Sequence, residues 1–255
     1  MRLTAALLIL ALTSTPAVAG LSRSVLSTIE AKPPPDAHLD LNLSAPDSTG
    51  RRHTIGEILG GRPAFVNFVD YTCNTLCGTD LLLLADAIRR AGLSPAAFRI
   101  IVIGIDPKDP AKAALAMENS EIPRALRSAS TFLLPDQNTV RRATSELGFH
   151  YAYDAEIDQF AHPAVIYVID SRGAVRQLLS PLALTAGDMR RILQNTTAPG
   201  PTFFQQIHSL CYAFDPSTGR YNLRVTFLLR VAAAFTLVLL GTGILLVSRA
   251  WRWRR

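Results

Sequence analysis

Two of the three cysteines in the chain, Cys73 and Cys77, lie four residues apart and directly follow the apolar segment 62–71. If these residues form a helical turn, the i, i+4 spacing brings both sulfur atoms to one face. Such a pair could form a stabilising disulfide in an exported domain, exchange disulfides as a redox couple, or bind a metal ion as two thiolates. A thioredoxin-type redox motif has two intervening residues. The three found here favour metal ligation.

When two thiolates bind a soft metal ion such as copper, an imidazole is commonly the third ligand. His162 is the best placed histidine, because it directly precedes the apolar segment 164–170 and therefore lies in a loop at the edge of a predicted sheet. A lone histidine at such a position often only makes a hydrogen bond, so that alternative stays open. The other four histidines lie in polar turns, after a helix or in the tail: His38, His53, His150 and His208.

Short apolar segments alternate with helical patterns, which predicts an α/β sandwich. The predicted strands are 62–71, 98–106, 164–170 and 174–180, and the predicted helices are 79–92, 109–120, 137–148 and 184–195. The first strand leads into the cysteine pair and then into a helix, which is the thioredoxin-like layout. We expect Cys73 within a residue or two of the end of that strand, and a helix that begins between Cys77 and Leu82. A helix amino terminus stabilises a thiolate and lowers its pKa.

Both ends of the chain carry features of an exported membrane protein. Residues 1–19 have an early arginine, an apolar run and a small-x-small ending, which predicts a cleaved signal peptide; an uncleaved anchor is the alternative. Residues 225–247 are apolar except for Arg230 and predict one transmembrane helix. The tail 248–255 contains four arginines and two tryptophans, which predicts that it is cytoplasmic.

The net charge of +6 does not indicate nucleic-acid binding. Residues 20–222 contain 19 basic and 20 acidic residues, a net charge of −1, so the excess lies at the two ends of the chain. The high pI of 9.6 therefore reflects membrane topology.

Between the two ends we distinguish three segments. A proline-rich spacer, 20–38, leads into a domain at 39–197, and a membrane-proximal tail follows at 198–224. Cys211 in that tail is expected to be a partly buried or lipid-facing thiol, although its i, i+3 spacing from His208 is also compatible with metal binding.

The stretches "YTCNTLCG", "VIGIDPKDP" and "AHPAVIYVIDSRG" resemble, in this order, the motifs of the SCO/SenC family of copper-binding, thioredoxin-like assembly proteins. The resemblance spans residues 39–195 and implies that Cys73, Cys77 and His162 are the metal ligands, with Asp106 near the site. The chain departs from the family pattern in three ways. Asn74 and Gly78 replace the prolines beside the cysteines, Ala161-His162-Pro163 replaces Asp-His-Ser, and the predicted anchor is at the carboxyl end.

The resemblance implies a copper chaperone in preference to an enzyme. The main domain would lie in the periplasm, anchored by a single span in the bacterial cytoplasmic membrane. Copper would pass to the copper-site subunit of a respiratory oxidase during its assembly. Other periplasmic copper chaperones or thiol reductants, and the lipid bilayer, would be further partners. The alternative is an enzyme, a thiol–disulfide oxidoreductase in which Cys73 and Cys77 are catalytic and reduce the acceptor's cysteines. A thiol peroxidase is a weaker alternative, because no Thr or Ser and Arg set accompanies the cysteines.

Overall fold

The computed structural model describes residues 21–73, 78–197, 214–215, 220–221 and 234–236. Cys77, Cys211, His208 and the predicted signal peptide at 1–19 lie outside these residues. So does most of the predicted transmembrane segment 225–247, which therefore stays a prediction. Within the described residues, no helix has the length and apolar character that a membrane span requires.

The described strands are short, and five of them form the central sheet. In chain order the strands are β1 (Ser44–Pro46), β2 (Arg52–Thr54), β3 (Ala64–Val69), β4 (Arg99–Gly104), β5 (Ser130–Leu133), β6 (Ala152–Asp154), β7 (Gln159–Ala161), β8 (Ile166–Ile169), β9 (Val175–Leu179), β10 (Phe214–Asp215) and β11 (Arg220–Tyr221). The central sheet has the order β5-β4-β3-β8-β9. Strands β3, β4 and β5 are parallel, whereas β8 is antiparallel to β3 and β9 is antiparallel to β8. Three two-stranded pairs, β1-β2, β6-β7 and β10-β11, lie outside this sheet.

Strand β3 occupies the centre of the sheet, and all six of its residues are buried. Its sequence is a nearly continuous apolar run because both faces of the sheet are covered by other elements. On one face, Phe68 packs against Phe149, with ring centroids 4.6 Å apart, and edge-on against Tyr167 at 6.0 Å. Phe65 packs edge-on against Phe98 on the other face at 5.6 Å. This packing fixes the position at which β3 ends and the cysteine segment begins.

Helices cover both faces of the sheet. They are α1 (Arg23–Leu26), α2 (Ile55–Leu59), α3 (Thr79–Ala91), α4 (Ala111–Glu121), α5 (Gln137–Glu146) and α6 (Ala186–Thr197), and short 3-10 turns lie at Pro95–Ala97, Arg124–Ala129 and Pro181–Ala183. One core contains buried residues of α3, α4 and α6, and the second contains those of α2 and α5. The predicted α/β sandwich is therefore confirmed.

The amino-terminal segment also packs on the domain. Ile29, Ala31 and Leu39 are buried, and Ala31 forms a β-bridge with Phe149. Gly148 has a φ of +60°, and a Cβ atom at this position would lie 2.1 Å from the backbone oxygen of Lys32. The close approach of this segment therefore requires glycine after α5.

The helix that follows the cysteines begins within the predicted interval. It starts at Thr79 after Gly78 and ends at Gly92, which has a φ of +65° and whose amide donates hydrogen bonds to carbonyls of the last turn. Glycine closes the helix because it adopts this left-handed conformation without steric cost. Cys73 lies four residues beyond Val69, further from the strand than predicted, because a turn at residues 70–72 separates them.

Strand β5 and the β6-β7 hairpin were not among the predicted elements. Strand β5 contains only four residues and is adjacent to a 3-10 turn, so its pattern is too short to show a period. Strands β6 and β7 have only three residues each, which is too few to show an alternating pattern. Within the part of the chain that the structure describes, β6 and β7 pair with each other, and the hairpin leads into His162.

Candidate metal and thiol site

The turn that follows β3 is organised by Asp70. One carboxylate oxygen, Oδ1, accepts hydrogen bonds from the backbone amide and the hydroxyl of Thr72, both at 2.9 Å. The backbone carbonyl of Asp70 accepts a hydrogen bond from the amide of Cys73 at 3.3 Å. Turns are commonly stabilised by an aspartate side chain that accepts a hydrogen bond from the backbone amide two residues later. These bonds fix the backbone of Cys73 relative to the end of the strand.

Tyr71 anchors the same turn to the sheet. Its amide donates to Oδ2 of Asp109 at 2.8 Å, and its hydroxyl donates to the carbonyls of Val102 at 3.1 Å and Leu133 at 2.9 Å. Its ring lies so close to Gly104 that a Cβ atom there would be 2.6 Å from a ring carbon. Tyr71 therefore connects the cysteine segment to the carboxyl ends of two neighbouring strands.

Cys73 is disulfide-bonded in the structure. The two other cysteines of the chain, Cys77 and Cys211, lie outside the described residues. A groove of about 770 Å³ opens beside Cys73, between the start of α3 and helix α4. The residues that line it are Tyr71, Thr72, Cys73, Gly78, Thr79, Leu82, Ala113, Ala116, Met117, Ser120 and Glu121. A sulfur atom at such a groove is open to approach by another molecule.

Gly78 leaves space for a carboxylate beside the cysteine segment. A Cβ atom on Gly78 would lie 2.9 Å from the carboxyl carbon of Glu121. The side chain of Glu121 thus occupies the space where any larger residue at position 78 would stand. One oxygen of Glu121, Oε2, is buried and has no hydrogen-bond partner among the described residues. A larger residue at position 78 would displace the end of this side chain, so glycine lets the Glu121 carboxylate lie beside the cysteine segment.

His162 lies directly after β7 and is partly buried. Its ring packs near that of Phe149, with centroids 6.1 Å apart, and its Nδ1 lies 3.2 Å from the carbonyl oxygen of Pro163. Burial lowers the pKa of His162, although the Pro163 carbonyl and the Asp70 carboxylate act in the opposite direction. The ring is therefore neutral at physiological pH, and the neutral form of imidazole binds metal ions.

Asp70 connects the cysteine turn to the His162 hairpin. Its second carboxylate oxygen, Oδ2, accepts a hydrogen bond from the amide of Phe160 at 3.2 Å, across 90 positions of sequence. Phe160 precedes His162 by two residues, and the charge of Asp70 acts on the His162 ring. The structure thus places the backbone of Cys73 and the hairpin that leads into His162 beside the same buried side chain.

The Asp-Pro segment contributes a second aspartate, Asp109, to the surroundings of the cysteine turn. Asp106 accepts a hydrogen bond from the amide of Lys108 at 2.9 Å, and the Lys108 ammonium reaches both Asp106 and Asp158. Asp109, not Asp106, contacts the cysteine turn through Tyr71. Burial raises the pKa of Asp109 to about 6; the charges of Asp70 and Asp106 add to this effect, and the hydrogen bond from Tyr71 opposes it.

The other described histidines lie in different surroundings. His38 is exposed and its ring contacts the carbonyl of Arg172, His53 pairs with Asp47 at 2.9 Å, and His150 is exposed. Among residues 21–73 and 78–197, no group of three His, Cys, Asp or Glu side chains is arranged as a metal site. A metal site at Cys73 and His162 therefore needs a further ligand from outside these residues. Cys77 is the residue that the family resemblance implies for this role.

Asp70 and Asp109 are the two residues at this site that sequence reasoning did not identify. Asp70 is only 1% exposed. The available signal in the sequence was a charged residue, Asp70, at the end of an apolar strand. A carboxylate that is buried there requires hydrogen-bond partners from neighbouring segments.

Comparison with known proteins places this site in a family. A sequence model of the SCO1/SenC family matches residues 34–198, which is more than half of the chain. The chain belongs to the SCO1/SenC family. No curated protein sequence matches it closely enough to count as a relative.

Solved structures share the fold of this SCO1/SenC domain at low sequence identity. A SCO1/SenC family lipoprotein from Bacillus anthracis is 17% identical, with a TM-score of 0.56, and the match covers 64% of this chain and 96% of the other. ScoI from Bradyrhizobium japonicum, solved with copper bound, is 20% identical, with a TM-score of 0.52 and coverages of 60% and 96%. BsSco, described as a cytochrome c oxidase assembly protein with a disulfide switch, is 16% identical, with a TM-score of 0.54 and coverages of 66% and 98%.

Proposed function

We propose that this protein is an extracytoplasmic copper chaperone that binds copper through Cys73, Cys77 and His162 and delivers it to a respiratory oxidase during assembly. The observation that carries the proposal is the junction at Asp70, where the Cys73 turn and the His162 hairpin meet within a SCO1/SenC domain. Copper-bound structures of family members, such as the Bradyrhizobium ScoI, support the choice of metal.

The proposed ligand set suits copper as a cargo. Two thiolates provide soft, negatively charged donors that favour copper(I), and an imidazole also serves copper(II). Burial keeps His162 neutral, so no proton has to leave the ring before it binds. Three ligands would leave a coordination position for an acceptor's ligand, and the groove beside Cys73 gives space for an acceptor to approach this part of the site.

We further propose that the domain lies in the periplasm, anchored by one span at 225–247. The signal-like segment 1–19 and the arginine-rich tail 248–255 support this orientation. An anchor confines the chaperone to the membrane surface. This confinement raises the rate of encounter with an acceptor subunit that is itself embedded in that membrane.

The test is anaerobic copper titration of the reduced, full-length protein and of His162→Ala, first with copper(I) and then after oxidation. We expect His162→Ala to fold normally and to bind copper at least about tenfold more weakly, most severely copper(II), because a borderline nitrogen ligand is lost. His150→Ala is the matched control, since His150 is an exposed histidine of the same domain. Equal copper affinity in His162→Ala and wild type would contradict the proposed ligand set.

A second candidate function is thiol–disulfide exchange with the acceptor's cysteines. The disulfide at Cys73 and the groove beside it favour this alternative. Exchange requires the thiols but not His162. Cys73→Ser and Cys77→Ser should therefore abolish both copper binding and exchange, whereas His162→Ala should retain exchange. Copper binding that is unaffected by His162→Ala, together with normal exchange, would favour the oxidoreductase.

A further inference from the structure

The buried carboxylate of Asp70 joins the two segments that supply the proposed ligands. We propose that Asp70 is a positioning residue that holds the Cys73 turn and the His162 hairpin in one fixed arrangement before metal or partner arrives. This inference rests on the proposed function for its purpose.

The first connection fixes the cysteine turn. Oδ1 of Asp70 accepts both the amide and the hydroxyl of Thr72 at 2.9 Å, and the carbonyl of Asp70 accepts the amide of Cys73 at 3.3 Å. Neither Cys73 nor Cys77 is followed by a proline that would restrict the backbone; Asn74 and Gly78 stand there instead. The hydrogen bonds of Asp70 therefore supply the restraint on the backbone that leads into Cys73.

The second connection fixes the hairpin. Oδ2 of Asp70 accepts the amide of Phe160 at 3.2 Å, and the Phe160 ring packs against Tyr151 at 5.6 Å and Tyr153 at 5.1 Å. These aromatic contacts and the pairing of β6 with β7 make the hairpin a stiff unit. A bond to Phe160 thus restrains the backbone two residues before His162.

The chemistry of the carboxylate suits this role. Both oxygens of an ionised carboxylate accept hydrogen bonds, so Asp70 can bind donors from both segments at once. An asparagine has one accepting oxygen and one donating NH₂ group. In Asp70→Asn, one of the two segments therefore faces a donor in place of an acceptor, whichever way the amide is oriented. The variant keeps the size of the side chain and removes one connection.

The test compares wild type with Asp70→Asn in the full-length protein, using Asp170→Asn as the matched control. Asp170 is a second buried aspartate, at the end of β8, and its Oδ1 accepts the amides of Arg172 at 2.8 Å and Ala174 at 3.1 Å, away from the site. The measurements are hydrogen exchange of the Thr72 and Phe160 amides without metal, and copper affinity with the sulfur-to-copper(II) absorption band. These report on position and on metal binding separately.

We expect Asp70→Asn to speed exchange at the Thr72 or Phe160 amide at least about tenfold, to weaken copper binding by about tenfold to a hundredfold and to shift the absorption band. Asp170→Asn should leave all three readouts at wild-type values, even if it lowers stability. Unchanged exchange at both amides would overturn the inference, and so would faster exchange with unchanged copper affinity if wild type binds copper.

Two further results separate this inference from the proposed function. If wild type binds no copper but Asp70→Asn still speeds exchange at Phe160 or Thr72, the copper function fails and the positional role of Asp70 stands. If Asp70→Asn does not fold, Thr72→Val replaces it, because that variant removes only the hydroxyl bond to Oδ1. Faster exchange of the residue 72 amide and weaker copper binding in Thr72→Val would support the inference, and wild-type values for both would overturn it.

Discussion

Asp80 gives the protein a pH-dependent stability that a single substitution should remove. It is the second residue of α3, only 7% exposed, and burial raises its pKa from the ordinary 3.8 to about 7. Because the folded state binds this proton more tightly than the unfolded state does, folding becomes less favourable as pH rises through this interval. A shift of about three pKa units corresponds to about 4 kcal/mol of stability, lost between about pH 4 and about pH 8.

The substitution Asp80→Asn keeps the shape of the side chain and removes the ionisation. We expect its free energy of unfolding to match wild type near pH 4 and to exceed it by up to about 4 kcal/mol near pH 8. Denaturant unfolding followed by far-ultraviolet circular dichroism measures this difference. Tryptophan fluorescence is unsuitable, because both tryptophans, Trp251 and Trp253, lie in the carboxyl-terminal tail.

Asp86→Asn is the control for removal of a negative charge from the same helix. Asp86 is on the surface, where it pairs with Arg89 at 2.6 Å and Arg90 at 2.9 Å, and exposed pairs contribute little. We expect the pH profile of its stability to run parallel to that of wild type. If the profile of Asp80→Asn is also parallel to wild type, the assignment of this pH dependence to Asp80 is refuted.

Three further outcomes are expected. Tyr71→Phe should lower the free energy of unfolding by about 1–3 kcal/mol, because two buried carbonyls lose the hydroxyl donor that they share. A midpoint of denaturant unfolding equal to that of wild type would contradict this. Reduction of the Cys73 disulfide should leave the circular dichroism spectrum of the domain unchanged, since two cores already stabilise the sheet; unfolding on reduction would assign the disulfide a structural role. A reporter fused after Arg255 should be cytoplasmic and one after Ser217 exported, and finding both on one side would exclude a single span.

The sequence was sufficient to predict the main strands and helices. Two kinds of local signal were available: apolar runs such as that of β3, and a glycine after a helix such as Gly92. Both are local because the spacing of apolar residues and the capping of a helix depend on residues close in sequence. The residue types and order of Cys73, Cys77 and His162 were likewise enough to propose a copper site. Local patterns predicted the longer helices and strands, because these elements contain enough buried apolar residues to show a regular spacing.

Only the tertiary structure showed how the candidate site is held together. The bond from Phe160 to Asp70 spans 90 positions, and the contact between Gly78 and Glu121 spans 43, so no local pattern contains either. The β6-β7 hairpin was missed because its strands have only three residues each, too few to show an alternating pattern. The order of the strands brings these segments to one edge of the sheet, and the burial of Asp70 there requires its carboxylate to bond to both of them. For this reason the sequence identified the candidate ligands, whereas the fold determined the residues that position them.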